Sequence, residues 1–397
     1  MRYVIGAVVA CTFAVLVLAL LGFPADHYVR YDFFGFWAGG RILLEGHDPY
    51  DPQMGLDIHR RFGVSAPGGN EGLSPQGFGY PLPAAILALP FAALPISIAA
   101  PFWLVAQLAL AGAALLAVAR PLFGPAYRRD APVLLAFVAA SQSVWVLGVS
   151  GNIGGFLLAI AGFATALLLR GRHLAAGAVL GLLVVKPHPF LWFAPLLLLA
   201  LRTGRLRVAL GAALVGGGLL AISFAILPAW LAEWLAPVGA LQASNRSRAN
   251  VWGLVPSDAR WEGWVLMGLV LVVFAIWWRV RRPPVAALVG GALAVSCFGA
   301  PYIWSYDQLV LAITVAAAIA AVARAEARVR ATALVLLALA WVALPWFLYA
   351  LAFSRGEESL NGLVPLALGA ALVLLDRLAR SEAEPSPRTM ALSAARR

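Results

Sequence analysis

Charge is scarce in this chain: Asp, Glu, Lys and Arg make up 12% of 397 residues, against about 25% in a soluble globular domain. A water-facing surface cannot be built from so little. Lysine is almost missing, and Lys186 is the single one, so nearly all of the formal net charge of +11 is carried by arginine. The arginines fall singly or in small groups between apolar runs, not in a patch or an arm. That pattern excludes a nucleic-acid footprint and makes them markers of membrane topology. Cysteine is equally rare. Cys11 and Cys297 both lie inside apolar stretches, so neither a disulfide framework nor a metal site has the spacing it needs. A clear internal repeat is also absent.

What is abundant is apolar length. Hydrophobic residues make up 62% of the chain, against roughly 45–50% in soluble proteins. Runs that cross, or nearly cross, a hydrocarbon core of about 30 Å occur at 4–23, 96–119, 131–149, 152–169, 173–185, 187–201, 208–227, 263–280, 284–300, 304–323, 330–352 and 360–378. They predict an all-α polytopic membrane protein of about 12 transmembrane helices, with 11–13 the range. The Pro-punctuated run 81–94 is either a half-helix dipping into the membrane or a further span. Arg2 precedes the first run, and the 21–26 stretch is a poor cleavage site, so an uncleaved span is expected there rather than a signal peptide. Lys-Pro-His-Pro at 186–189 separates two short runs, as in helices broken around a polar site. The 38 glycines are close-packing material for membrane helices.

Arginine placement orients the whole. Counting spans puts the segments with Arg128–Arg129, Arg170–Arg172, Arg202–Arg207, Arg279–Arg282 and Arg324–Arg330 on the side of Arg2, which the positive-inside rule makes cytoplasmic, with both termini. Residues 1–378 then form one transmembrane domain, with 379–397 a disordered cytoplasmic tail. The external face receives two long connections, 24–80 and 228–262, together with the polar breaks at 150–152, 186–189 and 300–307. Long loops rich in Trp, Tyr, Asp and Arg over a rim of polar breaks mark an external site.

In the first connection, Phe33, Phe36, Trp37, Ile42 and Leu44 give a short external helix an apolar stripe to rest on the membrane surface; Gly46 stops it and Asp48-Pro49 turns the chain. Asp32 opens this helix. It is either an N-cap or a catalytic carboxylate; Gly35, three residues on, supplies no capping box. Tyr80-Pro81-Leu82-Pro83 is a membrane-entry turn with an interfacial Tyr80. Lys186 either snorkels or offers a cation to a phosphate, with His188 beside it. Tyr302, Trp304 and Tyr306 suit an aromatic belt, and Asp307 at the head of a span requires a partner or a role. Arg246 and Arg248 run against the positive-inside trend, either as isolated surface charges or as holders of an anionic group.

Taken in order, these stretches resemble a known family. Asp32 before Trp37-Ala-Gly-Gly-Arg-Ile-Leu-Leu-Glu-Gly-x-Asp-Pro-Tyr50-Asp51, Tyr80-Pro-Leu-Pro83, Gly151-Asn152, Lys186-Pro-His188 and Ala300-Pro-Tyr-x-x-x-Tyr306-Asp307 are similar to the bacterial mannosyltransferases that use polyprenyl-phosphate-mannose. Those belong to the glycosyltransferase C superfamily. The likeness covers roughly 25–370. Asn152 and His188 depart from the glutamines common at those places, which points to a different sugar or acceptor. The resemblance implies the glycosyltransferase C fold in a bacterial plasma membrane, an inverting transfer of a hexose to a glycolipid or polysaccharide acceptor, and an external active site. It implies no metal and no cofactor, the lipid-linked sugar being co-substrate. Asp32 becomes the general base, and Tyr80, Asn152, Lys186, His188, Arg246, Arg248, Tyr306 and Asp307 become substrate-binding residues. Such a donor already carries a good leaving group, so one carboxylate and positive charge near the phosphate suffice. Two other readings stand beside this one: a lipid or polyol transporter or flippase, and a non-catalytic homologue that binds lipid-linked sugar.

Overall fold

The computed structural model describes residues 29, 31–63, 73–74, 77–236, 248–255 and 260–383. The expected first span at 4–23 and Arg246 lie outside the described residues. In the first connection stand α1 (Asp32–Leu44), α2 (Pro52–Arg61) and a hairpin of two-residue strands, β1 (Leu73–Ser74) and β2 (Gly77–Phe78). The strands pair antiparallel with Leu73 opposite Phe78. Then come α3 (Leu82–Ala92), α4 (Ile96–Phe123), α5 (Tyr127–Ala139), α6 (Gln142–Ser150), α7 (Gly154–Leu169), α8 (His173–Gly181), α9 (Phe193–Ala200) and α10 (Arg205–Ile226). After the second connection follow α11 (Val251–Leu254), α12 (Arg260–Arg281), α13 (Val285–Gly299), α14 (Ala312–Ala321), α15 (Ala327–Ala338), α16 (Leu344–Arg355) and α17 (Leu363–Ala383). Among the described residues five helical segments, Ile96–Ala139, Arg205–Ile226, Arg260–Arg281, Ala327–Arg355 and Ser359–Leu378, are long and apolar enough to cross a membrane, with six shorter apolar helices beside them. The protein is helical and membrane-embedded.

The connections sort into two sets. At one end the Arg170 guanidinium donates to the Ala117 carbonyl at 3.2 Å, Arg129 donates to the Ala323 carbonyl, and Arg129 and Arg330 both pair with buried Asp130. At the other end the Trp103 indole donates to the Gly151 carbonyl at 2.8 Å and the Asn250 amide to the Ala300 carbonyl at 2.8 Å. Arginine-bearing connections thus bond to one another, and so do the polar breaks. α3 settles the 81–94 run. Its 11 residues reach about 16 Å, half a hydrocarbon core. Trp37 of α1 donates to the Leu94 carbonyl just beyond its end at 3.0 Å, so both flanks of α3 stay with the first connection and α4 makes the crossing.

Three expectations are corrected. α1 does not rest on a membrane surface: Phe33, Phe34, Phe36, Trp37 and Ile42 are all buried, and only Leu44 stays exposed. Its residues are apolar all round, and Gly39 and Gly40 remove the bulk from one face. A Cβ at Gly39 would strike the Phe78 ring and one at Gly40 the Ala92 methyl, so strand and helix close over it. The 131–149 run is not one helix. It breaks at Ala140–Ser141, where the Ser141 hydroxyl caps α6, and the indoles of Trp341 and Trp346 donate to the freed carbonyls of Phe137 and Ala140 at 3.0 and 2.9 Å. Backbone groups opened at membrane depth need such partners. Finally, α17 runs to Ala383, so the first residues of the expected disordered tail are helical, in keeping with their helix-forming Ala, Arg and Glu.

α8 crosses α10 through glycine. A Cβ on Gly177 would fall well inside contact with the Val208 carbonyl, and one on Gly211 with the Leu174 carbonyl. Small residues let membrane helices approach this closely. Because α8 leads directly to Lys186, the crossing fixes where that lysine emerges. Gly177→Ala is therefore expected to lower stability by about 1–3 kcal/mol, the usual effect of overpacking. Gly217→Ala, where nothing lies within 4 Å of the added Cβ, is expected to be neutral or stabilising by up to about 1 kcal/mol. Thermal unfolding of the two variants in one detergent checks this, and equal melting temperatures would refute the crossing.

Candidate active site

Two helix breaks build the centre. After α8 a 3-10 turn, Leu182–Val185, runs into Pro187 and Pro189, which lack backbone donors and disfavour helix in the preceding residue. Lys186 accordingly takes an extended backbone, φ −152° and ψ 78°. After α13, Pro301 forces the same exit, and the chain re-enters helix through a 3-10 segment, Ser305–Leu311. Its Asp307 accepts from the Trp304 backbone N–H through Oδ2 at 3.2 Å. Through Oδ1 it accepts from the Lys186 ammonium at 2.6 Å. Both side chains are fully buried.

Lys186 thus neither snorkels nor stands free. Its ammonium also lies 5.8 Å from the centre of the Tyr80 ring and 5.3 Å from that of Tyr306. Such cation–ring contacts strengthen when desolvated. Removing one partner of a buried pair costs about 3–5 kcal/mol because the other charge is left uncompensated. A Lys186→Ala variant would consequently report on folding as much as on ligand binding.

Asp32 meets this pair from α1. The N-cap of α1 is Tyr31, which makes no side-chain cap bond, and Asp32 is the first helical residue. Its carboxyl is turned to the site instead. Burial pushes its pKa up to about 7, opposed by the Lys186 charge and by hydrogen bonds from the Tyr306 and Tyr80 hydroxyls. A carboxylate poised near neutrality suits proton abstraction at physiological pH. The other acids of the resembling motif are occupied. Asp51 caps α2 by accepting from the Gln53 N–H at 2.9 Å, and Asp307 is held by Lys186 and Trp304. Tyr80 stacks on Phe36 at 4.2 Å between ring centres, and its carbonyl accepts from the Tyr50 hydroxyl at 2.8 Å. The first connection thereby holds Asp32 and Tyr80 against each other.

The remaining expected residues divide. His188 packs edge-on against the Tyr302 ring at 5.7 Å, and its buried Nε2 has no hydrogen-bond partner among the described residues. Half-buried Arg248 also faces Tyr302, and burial together with Arg260 pushes its guanidinium below the usual arginine range. His188, Tyr302 and Arg248 thus form a rim beside the acidic pair. Asn152 does not join them. Its amide donates to the Ser150 hydroxyl at 2.8 Å and its carbonyl accepts from the Gly154 N–H at 2.7 Å, so both halves of the side chain are committed to the turn before α7. The turn is held from α4 by Gln107, which donates to the Asn152 backbone carbonyl at 2.7 Å and accepts from Gly155 at 3.0 Å.

Sequence reading missed Gln107 and Glu358. The Glu358 carboxylate accepts from the Ser305 N–H at 2.9 Å, and Gln142 and Ser143 bond the same residue at 3.1 and 3.0 Å. Ser305 is the anchor from which Tyr306 and Asp307 project. A signal existed: Glu357-Glu358 is an acidic pair between two apolar runs, on the side of the polar breaks. Among the described residues no three His, Cys, Asp or Glu side chains converge as a metal site.

The family model for glycosyltransferase family 87 matches residues 78–305. That span is more than half of the chain and includes Tyr80, Asn152, Lys186, His188 and Arg248; Asp32, Tyr306 and Asp307 fall outside it. No curated protein and no solved structure matches the chain. With helices built to cross a membrane and a match over most of them, the chain belongs to glycosyltransferase family 87 and is a membrane glycosyltransferase.

Proposed function

We propose that this chain transfers a hexose, mannose by the resemblance of its motifs, from a polyprenyl-phosphate sugar to a hydroxyl of a glycolipid or polysaccharide acceptor. The reaction takes place at the external face of a bacterial plasma membrane, with both termini cytoplasmic. The observation that carries the reading is the convergence of Asp32, Tyr80, Lys186, Tyr306 and Asp307, from four separate segments, at the end of the bundle away from the arginine-bearing connections. Membership of a glycosyltransferase family weighs against the transporter and non-catalytic readings.

In this mechanism Asp32 takes the proton of the acceptor hydroxyl as that oxygen attacks the anomeric carbon. The bond from that carbon to the phosphate oxygen breaks, polyprenyl phosphate leaves with the electron pair, and the configuration inverts. The ammonium of Lys186 has three donors, only one of them spent on Asp307. It offers the leaving phosphate positive charge, with Arg248 and the His188 ring at the rim. Arg246 is assigned to the same anion on sequence alone.

Asp32→Asn keeps size and polarity but removes the proton acceptor. Transfer is expected to fall at least about a hundredfold, within the range of a lost general base, with expression and melting temperature nearly unchanged. Purified protein, radiolabelled polyprenyl-phosphate-mannose and a membrane lipid extract as acceptor provide the assay. An Asn variant within a few-fold of wild type, with chemistry rate-limiting, rules out Asp32 as the base. In the wild type the base works only deprotonated. Below a pKa of about 7 the rate is expected to drop about tenfold per pH unit and to level off above it; a rate flat from pH 5 to 8 contradicts the assignment.

Glu358 acts through Ser305. Glu358→Gln keeps an acceptor for the Ser305 N–H and is expected to stay within a few-fold of wild type. Glu358→Ala removes the acceptor, loosens the turn carrying Tyr306 and Asp307, and is expected to lose about ten- to a hundredfold in rate, as misplaced catalytic groups do. Indistinguishable rates for the two variants would remove Glu358 from this role.

A further inference from the structure

At the end of the bundle opposite Asp32, three connections meet around a cleft of about 300 Å³. Leu168, Ala200, Leu201 and Leu288 make its floor, and His173, Arg202, Thr203 and Trp278 stand around it. The connections are rich in one charge. Segments 170–173, 202–207 and 279–282 carry eight arginines and no Asp or Glu. The positive-inside trend explains why arginines occur at this end. It does not explain why one of them, Arg202, lines a cleft with an apolar floor.

The cleft is built, not incidental. Gly204 has φ +71°, and a Cβ there would collide with the His173 ring, so the 171–173 and 202–204 turns pack with no gap and share a wall. Trp278 holds the far side, with the Arg279 guanidinium 5.9 Å from its ring centre. On the helices that border the cleft, Leu199, Leu206, Leu210, Ile276 and Val280 are exposed. The Arg202 guanidinium, the Thr203 hydroxyl and the Trp278 indole with Arg279 on its ring, above apolar helix surface, are what a phospholipid needs at its headgroup and first methylenes. Basic pockets between transmembrane helices on the cytoplasmic side bind anionic headgroups for this reason.

We propose that this cleft binds the phosphodiester headgroup of an anionic membrane phospholipid, with Arg202 as its main contact. The site is separate from the transfer reaction and independent of which sugar is moved. Free phosphate shares the headgroup's chemistry, so the test has to tell the two apart.

Full-length protein in non-ionic detergent is titrated with dihexanoyl-phosphatidylglycerol, dihexanoyl-phosphatidylcholine or inorganic phosphate, and bound species are counted by native mass spectrometry. Wild type is expected to show saturable binding of phosphatidylglycerol. Arg202→Glu is expected to weaken it at least about fivefold, the effect of about one lost charge contact at a membrane surface. Arg128→Glu changes net charge equally at the same end but outside the cleft and is expected to bind as wild type. Equal weakening in both variants would replace the site by diffuse attraction and overturn the proposal. So would equal occupancy by phosphatidylcholine, or displacement of the lipid by inorganic phosphate at the same concentration. Arg202 is exposed, so both variants are expected to keep the wild-type melting temperature; if Arg202→Glu does not, Arg202→Gln replaces it under the same criteria.

Discussion

The buried pair of Lys186 and Asp307 is the contact to which the rest of the site conforms. Two charges held out of water are stable only when their geometry and remaining hydrogen bonds are good, and neither residue can reach the other from a continuous helix. Both chains must break. Pro187 and Pro189 break one, Pro301 the other, and the pair closes across 121 residues of sequence. The Trp304 N–H satisfies the second oxygen of Asp307, and the rings of Tyr80 and Tyr306 shield the ammonium. Asp32 then enters a place already poor in water, and that is the main reason its proton is held so tightly.

Much of this was legible in sequence, for a physical reason. A lone lysine and an acid at the head of a span are too costly in a membrane to be accidental, and prolines beside each announce the breaks. The grouping of connections into two ends followed from the arginines alone, and two of the arginine-bearing connections do meet, where Arg129 bonds the Ala323 carbonyl and Arg129 and Arg330 share Asp130. Among the described residues the apolar runs are helical, although only five helical segments are long enough to cross a membrane, and Ser141 interrupts a run whose hydrophobicity continues on either side. Such a break leaves no trace in composition, because the donors that repair it, Trp341 and Trp346, come from some two hundred residues away.

What was not legible depends on partners. α1 looked like a surface helix because its aromatic residues have to lie against something apolar, and sequence does not say whether that is lipid or protein. Gly39 and Gly40 carried the answer, since two adjacent glycines inside a helix are unfavourable unless another element comes close; here Phe78 and Ala92 do. Asn152 looked like a ligand because it stands beside a glycine in a polar break. Its side chain bonds Ser150 and Gly154 and its backbone carbonyl accepts from Gln107, which makes it the frame of the turn. Glu358 was passed over for the opposite reason: nothing in its surroundings in sequence shows that Ser305 is in reach.

Charge balance in the centre explains why a rim is needed. Asp32 and Asp307 face one ammonium, so while both carboxyls are ionised the Lys186 donors that remain free meet an anion without a surplus of positive charge around them. A phosphate entering beside them adds negative charge in a medium where it is weakly screened. Asp32 holds its proton more tightly as a result, which favours receiving one from an acceptor hydroxyl but requires that Asp32 has first lost its own. Positive charge beyond that of Lys186 has to come from outside the pair. Arg248, with its guanidinium already partly desolvated beside Tyr302, is the described cation best situated to supply it. In the proposed reaction, half-buried Arg248 shares the neutralisation of the leaving phosphate with Lys186, which then keeps its contact with Asp307.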